Sequence, residues 1–220
     1  MRNFIRLTLH SSLFVAFLAS SLFAPAQAAA PVAPATAQKV ITLPAAQTTG
    51  GMPLMQAINK RQTARAFKDQ TLSMQQLSNL LWAGFGVNRP QGPNNKPGRT
   101  APSGRNSQDI DLYVVLADGA YVYNAEKNEL KLAAAGDQRA KSGSAAAVHA
   151  PITVVFVAPA KDDPFAQVDI GFIGQNLYLC AASEGLNAWF YVARNPELPA
   201  ALNLPADKTP LYAEAFGLPE

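Results

Sequence analysis

The sequence has little cysteine, little histidine and few charged residues. It contains one cysteine and two histidines in 220 residues, and charged residues make up 15% of it. A single cysteine excludes an intrachain disulfide framework, and so few cysteines and histidines exclude a zinc cluster of these ligands within one chain. With 49% hydrophobic residues, the chain is too apolar for a disordered protein. Its length fits one domain, or at most two small ones.

The sequence also lacks the motifs of several common catalytic sites. It has no Gly-x-Ser-x-Gly elbow, no Gly-x-Gly-x-x-Gly after a strand and no Walker loop. His149 stands at the edge of an apolar run, where a structural histidine is favoured over a general base. Cys180 lies in an apolar helical pattern, which favours a buried, unreactive thiol. We therefore predict neither a catalytic side chain nor a metal site.

The first 28 residues have the pattern of a secretory signal peptide. Arg2 and Arg6 precede an apolar run from Leu13 to Phe23, and Ala26-Gln27-Ala28 fits a small-x-small cleavage site. An uncleaved membrane anchor is the alternative, but the run is shorter than the roughly 20 apolar residues that span a bilayer. We predict cleavage, export to the periplasm and no stable membrane insertion afterwards. Loss of two arginines lowers the net charge from +3 to +1, so the high pI does not argue for nucleic-acid binding.

A folded domain is predicted from residue 51 to residue 220. Residues 29–50 are rich in Ala, Pro, Thr and Gln and are predicted to be a mobile linker, although residues 40–43 could form a short strand. Within the domain, strands are predicted at residues 111–117, 120–124, 129–132, 151–158 and 188–193. The first two flank Asp118-Gly119, a hairpin turn signal. The residues from 88 to 108 are predicted to be a long polar loop.

Helices alternate with these strands. They are predicted at residues 53–61, 73–86, 136–148 and 168–186. In the first helix, Leu54 and Ile58 lie four residues apart and are expected to form a buried stripe. Ser73 and Gln76 have the spacing of a capping box at the start of the second, which Gly84 and Gly86 are expected to end. The apolar residues that share one face of this helix are Leu77, Leu80, Leu81 and Phe85. The mixture predicts an α+β fold with a mostly antiparallel sheet flanked by helices.

Two polar segments stand where a scaffold would present a ligand site. In an extended chain Arg61, Thr63 and Arg65 point to the same side, and two guanidinium groups with a hydroxyl suit a phosphate. A solvated basic helix end is the alternative. The second segment is residues 101–108 (APSGRNSQ), whose amides can read the edge of a heterocycle. Taken alone, it would be an ordinary polar turn.

Together the two segments resemble the FMN-dependent nitroreductase family. That family has an Arg-x-Ser/Thr-x-Arg-x-Phe segment after its first helix and, further along, Pro-Ser-x-x-Asn-x-Gln before a strand. Both occur here in that order, at Arg61–Phe67 and Pro102–Gln108. The long helix at residues 169–186 and the closing Phe216–Pro219 also match. The resemblance covers about residues 51–219, and the branch it most resembles includes peptide thiazoline and thiazole oxidases.

The resemblance implies a homodimer with FMN at the dimer interface. The residues it implies for FMN binding are Arg61, Thr63, Arg65, Pro102, Ser103 and Asn106. The first three would hold the phosphate, the ribityl chain and the N1/O2 side of the flavin, and the last three would contact the isoalloxazine ring from the partner subunit. The implied function is an exported oxidoreductase that passes electrons through flavin to an unidentified small substrate in a ping-pong cycle.

Departures from the family pattern keep two alternatives open. Family members usually have a Glu-Gly pair after the central helix, where this sequence has Val192 and Ala193, and many continue into a Lys/Arg segment beyond the position of Glu220. The expected export also argues against NAD(P)H as the electron donor. One alternative is a non-catalytic envelope protein that has the fold without flavin. The other is a membrane-anchored interaction protein with an uncleaved signal segment.

Overall fold

Strands and helices alternate along the part of the chain that the computed structural model describes, residues 39–159 and 163–220. The strands are β1 (Val40–Thr42), β2 (Val87–Arg89), β3 (Gly98–Arg99), β4 (Asp111–Leu116), β5 (Gly119–Asn124), β6 (Glu129–Ala135), β7 (Ile152–Pro159), β8 (Asn187–Val192) and β9 (Lys208–Gly217). The helices are α1 (Leu54–Lys60), α2 (Met74–Phe85), α3 (Ala166–Ser183) and α4 (Leu198–Ala201). None of these helices is long and apolar enough to cross a membrane. The predicted signal peptide and the start of the predicted linker lie outside the described residues.

Seven strands form one antiparallel sheet in the order β1-β6-β5-β4-β7-β9-β8. Strand β7 lies inside the sheet between β4 and β9, as its nearly continuous apolar sequence predicts. Helices α2 and α3 pack on one face of the sheet, and the short helix α4 packs on the other. This arrangement confirms the predicted α+β fold with a mostly antiparallel sheet flanked by helices.

Helix α2 follows its sequence pattern closely. The Ser73 hydroxyl accepts a hydrogen bond from the Gln76 N–H, and the Gln76 side chain accepts one from the Ser73 N–H, so the predicted capping box is present. The apolar face is buried as predicted; it comprises Leu77, Leu80, Leu81 and Phe85. Gly84 does not end the helix. A Cβ at this position would lie 2.8 Å from Cδ2 of Leu177, so glycine allows α2 to approach α3 closely.

Helix α1 forms where predicted, but its buried stripe is wrong. Leu54 and Ile58 are 63% and 47% exposed, and Ala57 is the buried residue of this helix. The periodicity correctly identified an apolar face. Within the described chain, however, α1 contacts α3 through its Ala57 side, and the face with the larger apolar residues points away.

Three further segments differ from their predictions. Residues 136–148 form short 3₁₀ turns at Arg139–Lys141 and Ala146–His149 instead of a helix. Between the turns, Gly143 has a φ of +105°, which a helix cannot accommodate. Strand β9 was not predicted, because Pro210 and Glu214 interrupt its apolar pattern. The hairpin turn also lies one residue earlier than predicted, since Leu116 pairs with Gly119.

The packed chain begins before residue 51. Strand β1 pairs with β6, and Leu43 is buried next to it. The Ser78 hydroxyl of α2 donates to the Pro44 carbonyl oxygen over 2.6 Å, and the Gln47 N–H donates to Oδ1 of Asn79 over 2.9 Å. Residues 39–50 of the predicted linker are therefore held on the domain by hydrogen bonds from buried α2 side chains.

Candidate functional site

The chain leaves α1 at Arg61 and runs extended along the free edge of β8. The Ala64 N–H donates to the Ala188 carbonyl oxygen over 2.9 Å, and the Asn187 amide donates to the Ala66 carbonyl oxygen over 2.7 Å. An edge strand has unpaired backbone groups that can receive such a segment. Phe67 is buried at the end of the segment and fixes it to the sheet. The extended conformation predicted for residues 61–67 is therefore present.

Tyr178 of α3 connects the first predicted ligand segment to β8. The Thr63 and Tyr178 hydroxyl oxygens are 3.0 Å apart, and the Arg61 guanidinium lies 5.3 Å from the centroid of the Tyr178 ring. The Phe190 N–H donates to the Tyr178 hydroxyl oxygen over 2.9 Å. Either hydroxyl can donate in the bond between Thr63 and Tyr178, since a hydroxyl carries one proton and two acceptor lone pairs.

Arg65 contacts a different ring. Its guanidinium lies 5.1 Å from the Trp189 ring, and Trp189 packs in a cluster on the opposite face of the sheet from Phe190. The structure thus brings Arg61 and Thr63 to a common side chain, but not Arg65. In the described part of the chain neither arginine is paired with a carboxylate, so both positive charges can serve an anionic ligand.

The second predicted segment is a loop that is braced by its own polar groups. The Ser103 hydroxyl accepts from the Gln108 N–H over 3.0 Å. The Asn106 amide donates to the Pro93 carbonyl oxygen over 2.8 Å, and its oxygen accepts from the Gln108 amide over 2.8 Å. Pro102 is exposed. Both ends of the Asn106 side chain are engaged within the loop, so this amide supports the loop conformation.

Asp169, which the sequence analysis missed, attaches this loop to α3. Its two carboxyl oxygens lie 2.9 and 3.0 Å from the Gly104 nitrogen, whose N–H they accept. Asp169 is buried in the first turn of α3, where a carboxylate is favoured by the helix dipole. Burial raises the pKa of this carboxyl, and the Gly104 N–H opposes the shift. The pattern offered no signal for this contact, because it joins residues far apart in the chain.

The two predicted segments meet α3 at different points. Gly104 is bound at Asp169 and Thr63 is bound at Tyr178. These two α3 residues are nine positions apart, or about 14 Å at 1.5 Å per residue. Within one chain the two segments therefore do not converge on a single point.

A cavity of about 210 Å³ opens between α3 and β8 beside Tyr178. Its lining residues are Gly171, Gly174, Gln175, Tyr178 and Phe190. A Cβ at Gly174 would lie 2.8 Å from Cε2 of Phe190, so the absence of a side chain brings the helix close to this ring. The cavity thus lies next to the predicted Arg61 and Thr63 group.

Glu214 lies behind the wall of this cavity and was also missed. It is fully buried on β9, and neither of its carboxyl oxygens has a hydrogen-bond partner among the described residues. Oε2 is 3.5 Å from the position that a Cβ of Gly174 would occupy. Burial raises the pKa of this carboxyl well above its usual value. The available signal was one carboxylate in an otherwise apolar stretch, residues 211–216 (LYAEAF).

The residues considered for other chemistry lie elsewhere. Burial raises the pKa of the half-buried Cys180 thiol to about 12, which agrees with an unreactive cysteine. His149 is exposed at the end of a 3₁₀ turn. Among residues 39–159 and 163–220, no group of three or more His, Cys, Asp or Glu side chains could hold a metal ion.

Comparison with known proteins adds a family match. The model of the nitroreductase family matches residues 58–219, a range that includes both predicted segments, the α3 cavity and Glu214. A protein from Ralstonia eutropha JMP134, described as a nitroreductase, is 36% identical. Its structure superimposes with a TM-score of 0.73, over 82% of this chain and 90% of that one. No protein with a curated description matches the sequence.

Two more distant structures share the fold. One is a protein from Desulfovibrio desulfuricans described as a nitroreductase in complex with FMN, with 22% identity, a TM-score of 0.55 and coverage of 77% of this chain and 88% of that one. The other is the E. coli microcin synthetase McbBCD complex with truncated pro-MccB17 bound, with 18% identity, a TM-score of 0.59 and coverage of 81% and 77%.

Proposed function

The chain belongs to the nitroreductase family, and from this premise we propose that it is an exported FMN-dependent oxidoreductase. It would pass electrons in a ping-pong cycle from an unidentified donor to an unidentified small substrate. The observation that carries the proposal is the group formed by Arg61, Thr63 and Tyr178 beside the glycine-lined α3 cavity. It places unpaired positive charge and a hydroxyl next to a space that a planar ligand could enter.

The chain's own groups fit a flavin mononucleotide. Arg61 supplies a cation that is not paired with a carboxylate, and Thr63 supplies a hydroxyl; such groups bind phosphate and polyol oxygens. Arg65 is also unpaired, but it would have to turn away from Trp189 to join them. Gly171, where a Cβ would meet no atom within 4 Å, leaves room beside the cavity for a flat ring. When bound, FMN supplies the hydride chemistry, while the protein positions it and sets its electrostatic surroundings.

A homodimer is part of the proposal. The helices α1 and α3 expose apolar side chains, namely Leu54, Met55, Ile58, Val168 and Phe172. An exposed apolar patch of this kind is typical of an interface. A second copy that covered these faces could bring its residues 102–106 to the Arg61 and Thr63 group. The loop of the same chain is attached to the other end of α3. Pro102, Ser103 and Asn106 would then act from the partner subunit.

The alternative is a protein with this fold that binds no flavin. It is favoured by Asn106, whose side chain is already engaged within its loop, and by Val192 and Ala193 in place of the family's Glu-Gly pair. The export part of the proposal is supported by the signal pattern in residues 1–28 and is tested by N-terminal sequencing of protein recovered from the periplasm. An uncleaved N-terminus would favour the anchored form.

The central experiment is a visible spectrum of the mature protein after incubation with FMN and removal of free ligand. We expect retained flavin absorbance in the wild type and its loss in the R61A/R65A variant. The R89A/K131A variant removes two exposed positive charges from other surfaces and should retain the flavin. A wild-type protein that never retains FMN would refute the enzyme proposal. Light scattering after size exclusion tests the dimer separately, and a monomer at all concentrations would contradict it.

A further inference from the structure

Apolar residues lie directly against Glu214 on each of the three elements that cover it. Its cross-strand neighbours are Phe190 on β8 and Val154 on β7, and directly opposite residues of antiparallel strands have side chains on the same face. The helix above it contributes Gly174. None of these three residues is titratable. The titratable groups beside Phe190 are Tyr178 of α3 and Tyr212 of β9, and neither is hydrogen-bonded to Glu214. Burial accounts for the raised pKa of the carboxyl.

Such a carboxyl is costly to the fold. A buried polar group without hydrogen bonds destabilises a protein, and groups of this kind are rare enough in native structures to require an explanation. They are frequent at functional sites, where burial keeps an acid in its neutral form. Among the described residues, Glu214 has no structural partner that would explain its position in the core.

Gly174 and Phe190 separate this carboxyl from the cavity between α3 and β8. Oε2 is 3.5 Å from the missing Cβ of Gly174, and both Gly174 and the half-buried Phe190 line the cavity. The Phe190 backbone is bonded to Tyr178, which in turn contacts Thr63. A substrate in the cavity would thus lie on the far side of Gly174 and Phe190 from the Glu214 carboxyl, so we expect proton transfer between them to require a displacement of the Phe190 ring.

We propose that Glu214 is the proton donor of this site and gives its proton to a reducible substrate bound in the cavity between α3 and β8. The inference rests on the proposed function and names a residue for it. The substrate class is a planar unsaturated acceptor, such as a quinone, which needs a proton with its electron pair.

For a quinone, a hydride from reduced flavin would go to one carbonyl oxygen, so that an O–H bond forms there and the electron pair moves through the ring, which becomes aromatic, to the other oxygen. The Glu214 O–H bond then breaks and the second O–H bond of the product forms, which leaves Glu214 as a carboxylate and the product as a hydroquinone. The carboxylate regains a proton from solvent through the cavity.

The test compares two acceptors in single turnovers of the holoenzyme. The flavin is photoreduced and the protein is mixed with 2-methyl-1,4-naphthoquinone, which needs protons, or with ferricyanide, which takes electrons alone. General acid catalysis contributes about 10²–10⁴-fold, so E214Q should slow quinone reduction by about a hundredfold and change ferricyanide reduction by less than about twofold. The E126Q variant, which loses an exposed carboxyl, should behave like the wild type. An unchanged quinone rate, or an equal loss with both acceptors, would overturn the proposal.

A second measurement does not depend on turnover. In the protein with ¹³C-labelled glutamate carboxyls, one resonance should keep its protonated chemical shift to a higher pH than the others. Burial also raises the pKa of Glu184, so the Glu214 resonance is identified by its absence from the E214Q spectrum. If every glutamate ionises together, Glu214 holds no proton to give and the proposal fails. Failure of the proposed function has a different signature, which is the absence of bound flavin in the wild type. A normal flavin spectrum with normal ferricyanide reduction and no effect of E214Q on the quinone would refute this inference alone.

Discussion

Replacing Glu214 with glutamine should change how the stability of the protein depends on pH. In the folded chain the carboxyl is fully buried without a hydrogen-bond partner among the described residues, and burial raises its pKa well above the usual value of 4.5. In the unfolded chain it is hydrated and ionises near that value. Between the two pKa values the folded state therefore binds one proton more than the unfolded state.

The additional proton bound by the folded state determines the sign and the size of the change in stability with pH. The stability that the neutral carboxyl contributes is fully present below the unfolded pKa and is lost as the pH rises through the folded pKa. Within that window one proton corresponds to about 1.4 kcal/mol per pH unit. Because E214Q cannot ionise, the free energy of unfolding of the variant, relative to the wild type, should rise by this amount per unit above about pH 5.

Urea unfolding of the protein without added flavin at several pH values measures this difference, with the free energy taken from linear extrapolation. A constant offset between E214Q and the wild type is expected from the changed side chain and does not affect the slope. E126Q, which removes an exposed carboxyl, should run parallel to the wild type. Parallel profiles for E214Q and the wild type would show that Glu214 has the same proton in both states and would refute the reasoning.

Three further substitutions test the contacts that build the site and the core. Y178F removes the acceptor of the Phe190 N–H and should lower the free energy of unfolding by about 1–3 kcal/mol and weaken FMN retention; unchanged values would contradict the role of Tyr178. D169A leaves the Gly104 N–H without its charged acceptor, so it should cost about 1.5–3 kcal/mol and make the 102–108 loop more sensitive to limited proteolysis. L80A empties a fully buried position in α2 and should cost about 2–5 kcal/mol in urea unfolding, while a cost below about 1 kcal/mol would mean that the core collapses around it.

Local patterns were sufficient for much of the fold. The capping residues Ser73 and Gln76 and the apolar face of α2 were predicted correctly, since both depend on residues within a few positions of one another. The interior position of β7 followed from its apolar run for the same reason. Strand β9 was missed because its hydrogen bonds are made to β7 and β8, and Pro210 and Glu214 interrupt the local signal.

For the candidate site, too, features that are local in the sequence could be predicted, and contacts between distant residues could not. The sequence identified the extended segment with Arg61, Thr63 and Arg65, whose members are close in the chain, and it identified the 102–106 segment. It could not show that Thr63 meets Tyr178, more than a hundred positions away, or that Arg65 turns to Trp189. The braced state of Asn106 was equally hidden, because it depends on how the loop folds back on Pro93.

The scarcity of histidine, cysteine and charge was informative by itself, because composition alone excludes zinc clusters, disulfide frameworks and disordered chains. The order of the polar segments was likewise visible in the sequence. What only the tertiary structure decided is which groups share an environment. A lone glutamate in an apolar strand becomes a buried, unpaired acid beside a cavity only when β9 is placed between β7 and β8 and covered by a glycine of α3. Burial and the electrostatics that follow from it are properties of contacts between distant segments, which no local pattern contains.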